Sequence, residues 1–188
     1  MTPERFQLEP HPWTILDPRS GVKDDLGVWR RDDHAEVALL DPGLFAEVRG
    51  LCEFGAQRMR DQGPDDAQVR FKDALGLLPE PLGRWNVAGW TLLALGHVWV
   101  AQSRWELSRQ VLTDAMWSPG VFGNPWAHRL KGQVHLALGE RERAADDLLR
   151  AYRAAGHAVL EGTAPGCLAL IEETLQRAAT SKEPSPDA

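Results

Sequence analysis

Two histidines, His128 and His135, stand seven residues apart in the segment GNPWAHRLKGQVHLALGERERAADDLLRAY, residues 123–152. On a helix this spacing puts both on one face. There two imidazoles are an acid/base couple, or two ligands of a metal that still needs a third. No third ligand stands at a suitable spacing nearby. His34, in DDHAE, has acidic company, and a solvated turn accounts for it. The adjacent pairs Asp146–Asp147 and Glu172–Glu173 are helix neighbours pointing about 100° apart, so they form no acid/base couple and read as solvated faces. Cys52 and Cys167 lie in apolar, helical surroundings that favour inert thiols over nucleophiles. H-E-x-x-H, C-x-x-C, G-x-S-x-G and a glycine-rich phosphate loop do not occur.

The elements that carry these residues repeat. Gly132 is followed at +12, +16 and +19 by Ala144, Leu148 and Ala151. Gly96 is followed at the same offsets by Ser108, Leu112 and Ala115, and Gly55 by Ala67, Phe71 and Ala74. At +24 stand Pro79, Gly120 and Gly156. A small residue midway along one helix lets a second helix pack close against it. The residues at +12 and +19 share a face of that second helix, and the large one at +16 fills the layer between. Proline or glycine then ends the second helix. Asn124 is placed to cap a helix opening at Pro125, and Gly139 to close it. In the helix after Gly139, Ala144, Ala145, Leu148, Leu149, Ala151 and Tyr152 form the apolar side, and Glu140, Arg143, Asp147 and Arg150 are expected to face outward.

This pattern resembles the tetratricopeptide repeat, over roughly residues 48–158 and most closely over 125–158. The tyrosine-like position three after the first-helix glycine is Trp99, His135 and Arg58, and Arg58 departs from it. The resemblance puts His135 in an aromatic packing slot and His128 in another inter-helix slot, so a structural role is expected for both. It also implies a concave groove lined by first-helix positions: Arg49, Cys52, Ala56, Met59 and Arg60; Trp90, Leu93, His97, Val100 and Ala101; Trp126, Arg129, Gln133, Leu136 and Ala137. The residues expected to meet a partner are Arg49, Met59, Arg60, Trp90, Leu93, His97, Trp126, Arg129 and Gln133. Trp85, Trp99, Trp105 and Trp117 are expected in core or inter-copy packing. The asparagines and lysines of the chaperone-binding carboxylate clamp are not at these positions. More narrowly, the run from Trp90 through SPGVFGNPWAHRLKGQVHLALGERERAADDLLRAYRAAG is similar to a group of small bacterial tetratricopeptide proteins without assigned activity, of a kind sometimes encoded beside secreted toxins.

Outside the repeats, residues 1–41 contain PWTIL, LGVW and AEVALL between DPRSG and RRDDH. They read as short strands around a turn or as an extended arm over the helices. Residues 159–180 supply a helix that caps the last apolar face, and 181–188 a disordered tail. Either the arm or the capping helix could fill the groove.

Charge limits the partners. Residues 1–41 carry 9 acids against 5 bases, residues 42–158 carry 13 against 14, and residues 159–188 carry 5 against 2. A nearly neutral body between acidic arms is a poor match for nucleic acid, which needs a cationic face. The longest apolar run, LLALGHVWVA, is too short to span a bilayer. No secretory leader is visible, and two unpaired-looking cysteines fit a reducing cytoplasm. Arginine outnumbers lysine 17 to 4, the bias of a GC-rich bacterial genome.

The expectation is therefore an all-α, tetratricopeptide-like array of about three helical hairpins over residues 42–158. Its function would be non-catalytic: binding a protein or peptide in the groove without cofactor or metal, with Arg49, Arg60 and Arg129 choosing acidic groups. A sharper form is an immunity protein against a bacterial toxin, where acidic arms suit a cationic target. The alternatives are a small-ligand sensor with a tryptophan-lined pocket, and a metal-dependent enzyme built on His97, His128 and His135.

Overall fold

The first helix among the described residues begins at a side-chain cap. Asp41 Oδ1 accepts from Gly43 N at 2.9 Å and Leu44 N at 3.1 Å, with Pro42 in the first turn, where a missing N–H costs nothing. The computed structural model describes residues 40–61, 63–118 and 120–180. Among the described residues seven α-helices follow one another: α1 (Pro42–Arg60), α2 (Pro64–Gly76), α3 (Asn86–Ala101), α4 (Trp105–Ala115), α5 (Pro125–Ala137), α6 (Arg141–Ala155) and α7 (Pro165–Thr180). Short 3-10 turns occupy Leu82–Arg84 and His157–Leu160. Among the described residues there is no strand. The strands or extended arm expected in residues 1–41 fall on 1–39, outside the described residues, as does the tail 181–188.

Local signals set the helix ends where the residue types demand. Asn124 Oδ1 accepts from Trp126 N at 2.8 Å and Ala127 N at 3.2 Å, opening α5 at Pro125. Gly139, at φ +79°, turns the chain from α5 into α6 in the left-handed region that favours glycine.

The helices pair as hairpins, α1 with α2, α3 with α4 and α5 with α6, and each hairpin makes the same contact. Gly55, Gly96 and Gly132 are all buried. A β-carbon built on Gly55 would lie 2.9 Å from the Phe71 ring, on Gly96 2.7 Å from Leu112 Cδ2, and on Gly132 2.5 Å from Leu148 Cγ. Phe71, Leu112 and Leu148 are at most 1% exposed, and the flanking residues Ala67, Ala74, Ser108, Ala115, Ala144 and Ala151 are wholly buried. The second helix of each hairpin also packs on the helix that follows: α2 on α3, α4 on α5, α6 on α7. The apolar core runs unbroken from α1 into α5, and a second cluster joins α6 to the 157–160 turn and α7. Helix α7 lies on both α5 and α6, covering the last hairpin.

Helix α3 occupies the middle and is enclosed. Every residue from Val87 to Gly96 is buried, as its apolar character all round its circumference requires. Trp99 packs half-buried against the core, its indole N–H donating to Gln68 Oε1 at 2.8 Å. Trp117 corrects the expectation of core packing, since it is 81% exposed, and Phe122 beside it is 71% exposed. The α4–α5 connection inserts Ser118 and Val121 instead, packed so close to α3 that a β-carbon on Gly89 would lie 2.5 Å from each. The turn that seats those two residues leaves Trp117 and Phe122 outside.

The glycine contact gives a test by opposite signs. Gly132→Ala should lower the unfolding free energy by about 1–3 kcal/mol through overpacking. Gly50→Ala, in α1 with nothing within 4 Å of the added carbon, should raise it by about 0.5–1 kcal/mol through helix propensity. Urea unfolding of both variants checks this, and a stabilised Gly132→Ala would remove the close-contact account.

Candidate functional site

The two histidines that raised the question of chemistry both point into the third hairpin. His128 and His135 are 7% and 8% exposed. Across from them, on α6, stands Asp147, only 6% exposed. His128 Nδ1 lies 2.8 Å from Asp147 Oδ1, and His135 Nε2 and Lys131 Nζ each lie 3.5 Å from Asp147 Oδ2. His135 Nδ1 lies 2.5 Å from Glu140 Oε2, which Arg143 also approaches at 3.4 Å. An ionised carboxylate only accepts, so the Nδ1 of each imidazole carries the proton. Burial raises the Asp147 carboxyl, but the His128 hydrogen bond and the charges of Lys131 and both histidines outweigh it and hold the group below its ordinary range. The His135 hydrogen bond likewise lowers Glu140. Both histidines are thus engaged within one hairpin. Among the described residues, no group of three or more His, Cys, Asp or Glu side chains is arranged to hold a metal ion.

Asp147 is the correction here. A helical wheel of α6 sends it outward beside Asp146, which does face water and pairs with Arg150 at 3.0 Å. The signal that finds Asp147 lies on the partner helix. His128, Lys131 and His135 at i, i+3 and i+7 form a polar stripe on the packing face of α5, and such a stripe demands a counter-charge from α6.

The first-helix face behaves differently. Trp90 and Leu93 are 4% and 2% exposed and belong to the core, so a partner cannot rest on them. Cys52 is buried too, 3.3 Å from Thr91 Oγ1, and burial pushes its thiol up to about 11. Met59 packs half-buried against the core. Arg49 and Arg60 are exposed and make their polar contacts within α1, Arg49 with Glu53 at 2.7 Å and Arg60 with Gln57 Oε1 at 2.6 Å. Gln133 is half-buried on α5.

Of the expected residues, the structure brings together Trp126 and Arg129, with His97 within electrostatic reach of Arg129. The Arg129 guanidinium stands 4.8 Å from the centre of the Trp126 ring, a cation–π distance. Its Nη1 reaches the Glu161 carbonyl at 3.4 Å, and its Nε is buried without a hydrogen-bond partner. Burial, with Arg129 adding its charge, pushes His97 down to about 4, so the imidazole is neutral at physiological pH. From α7, Cys167 completes the surroundings; burial raises its thiol, against the pull of Arg129. The α3–α5–α7 end of the face therefore combines a desolvated cation, a flat aromatic ring and a neutral imidazole. This arrangement suits recognition of an anionic or hydrogen-bonding group.

No protein-family model matches the chain, and no curated protein matches it. No helix among the described residues is long and apolar enough to cross a membrane.

Two stability measurements follow from the charges. His97 titrates near 6.5 when unfolded and about 4 when folded, so between those values the unfolded chain takes up a proton that the folded chain refuses. Stability should fall as pH drops through that window, and His97→Gln should flatten that limb of a melting-temperature profile. An unchanged limb would place His97 in water. The depressed Asp147 contributes stability that is complete above its ordinary range near 4 and is lost at lower pH. Asp147→Ala at neutral pH should cost about 3–5 kcal/mol, because the buried His128 Nδ1–H loses its acceptor and Lys131 its carboxylate; denaturant unfolding measures it.

Proposed function

We propose that the protein is a non-catalytic helical-repeat module of the tetratricopeptide kind, which captures a polypeptide partner on its first-helix face. The recurring glycine contact and the serial packing of three hairpins under a capping helix support the repeat reading. The observation that carries the binding reading is the Trp126–Arg129 stack on that face. Tryptophan and arginine are the residue types whose truncation most often costs 2 kcal/mol or more at an interface, by rough account. On α1, Arg60 and Arg49 are exposed, Arg49 in an ion pair with Glu53. The burial of Trp90 and Leu93 narrows the surface to Arg49, Arg60, His97, Trp126, Arg129 and Gln133. A non-catalytic role is supported by the engagement of His128 and His135 with Asp147 and Glu140, which gives the most suggestive residues a task within the fold.

Inhibition of a cationic toxin, in a bacterial cytoplasm, is the narrower form of this reading, one in which the acidic segments and not the arginines of the first-helix face meet the target's charge. It draws on the 9 acids among residues 1–41 and on the resemblance to small bacterial repeat proteins. Acidic segments would speed encounter with a cationic target, and that part of the reading requires association to slow as salt rises.

Affinity capture from the native host with the full chain should recover a partner. The Arg49→Glu/Arg60→Glu double variant, and Trp126→Leu, should each lose it while keeping the helical circular dichroism of the parent. Equal recovery by all three proteins would remove this face from consideration.

A further inference from the structure

Two cations on α5 are treated differently by the fold. Lys131 lies 3.5 Å from Asp147 Oδ2. Arg129, two residues earlier, has no carboxylate among the described residues in an ion pair with it. A guanidinium carries five N–H donors. Of these, one reaches the Glu161 carbonyl at the long distance of 3.4 Å, and the Nε–H is buried with no acceptor. Loss of water lowers the Arg129 pKa, the direction of a cation without a compensating anion. Of the titratable groups beside it, burial raises the Cys167 thiol and lowers the His97 imidazole. A desolvated charge of this kind is costly to the folded chain, yet its plane is held by the Trp126 ring at 4.8 Å.

We propose that the Arg129 guanidinium, framed by Trp126 and His97, is the receptor for a carboxylate carried by a separate acidic polypeptide lying on the first-helix face. This rests on the polypeptide-binding reading above and gives it a chemistry. A planar fork with unused N–H groups matches a carboxylate in the two-bond geometry that lysine cannot offer. The ring behind it fixes the approach direction, and the imidazole is near enough to sense an arriving anion. On α1, the exposed Arg60 offers a further guanidinium to the occupant, while Arg49 is already paired with Glu53.

The test uses the full chain and a blocked oligoglutamate peptide, with the matching oligoglutamine as control. Oligoglutamate should bind and oligoglutamine should not. Arg129→Met should weaken binding roughly tenfold or more, while its melting temperature without peptide stays level or rises, because an uncompensated charge has been removed. Arg129→Lys, which keeps the charge but loses the fork, should weaken binding less, and it carries the test if the methionine variant fails to fold. In the complex, the imidazole resonances of His97 should titrate above the value of about 4 of the free protein, since a nearby anion favours imidazolium. Equal binding of the two peptides, or undiminished binding by both Arg129 variants, would overturn the proposal. So would a shift of the His97 titration when the acids of residues 1–39 are replaced by amides with no peptide present, which would assign the carboxylate to the chain's own segment. Capture of a partner that depends on Arg49, Arg60 and Trp126 but not on Arg129 would leave the binding reading standing and remove this inference alone.

Discussion

Three large side chains sit where a β-carbon is missing. Phe71, Leu112 and Leu148 rest on Gly55, Gly96 and Gly132 at distances no alanine would allow without movement. Glycine within a helix costs about 1 kcal/mol against alanine. Burying a whole phenylalanine or leucine side chain contributes about 1.5–3 kcal/mol, so the exchange is favourable each time it is made. The small residues that flank each large one, seven apart on the second helix, follow from the same constraint: a helix that approaches this closely has room for bulk in one layer only. Because each second helix then packs on the helix after it, the middle first helix is surrounded, and α3 is buried along ten consecutive residues, Val87 to Gly96.

Close approach also decides what happens to polar groups. The backbone that presses Leu148 onto Gly132 carries Asp147, its neighbour, against α5, where two histidines and a lysine receive it. The second hairpin solves the same problem without charge: the Ser108 hydroxyl donates to the Gly96 carbonyl at 2.9 Å. Between the first and second hairpins, the Thr91 hydroxyl donates to the Val87 carbonyl at 2.7 Å and lies beside Cys52. One apolar contact is repeated three times, and the polar accommodation around it differs at each repeat. The apolar contact sets the fold, while the polar residues tune it locally.

This division explains what the residue order reveals. Asn124, Pro125 and Gly139 act through backbone groups two or three residues away, and the helix they bound lies where they imply. The glycine triad is legible because its partner always stands sixteen residues on. Asp147 is not legible from its own helix, since its burial is dictated by residues 128, 131 and 135 across the interface. Trp90 and Leu93 mislead in the same manner. The tetratricopeptide resemblance assigns them to an open groove, but an inner helix with apolar residues all round has little open face to offer. Trp117 errs in the opposite direction: a tryptophan is a natural core residue, but here the smaller Ser118 and Val121 take the available space against Gly89. The expectations for residues 1–39 fall outside the described residues.

Helix α5 makes the functional argument by comparison with itself. Its α6 side carries His128, Lys131 and His135, and each is matched by a carboxylate on or just before α6. Its other side carries Trp126 and Arg129, with a guanidinium nitrogen buried and unanswered. Composition cannot account for the contrast, because the two sets of residues interleave along thirteen residues of one helix, Pro125–Ala137. A methionine or leucine at position 129 would avoid the desolvation penalty of a charge, while losing the contact with the Trp126 ring and the hydrogen bond to the Glu161 carbonyl. On the proposed reading, a cation with no carboxylate paired to it among the described residues is where a second molecule has something to add. The exposure that α3 lacks, α5 keeps in part at its junction with α7, and the proposed binding reading rests on that end of the face.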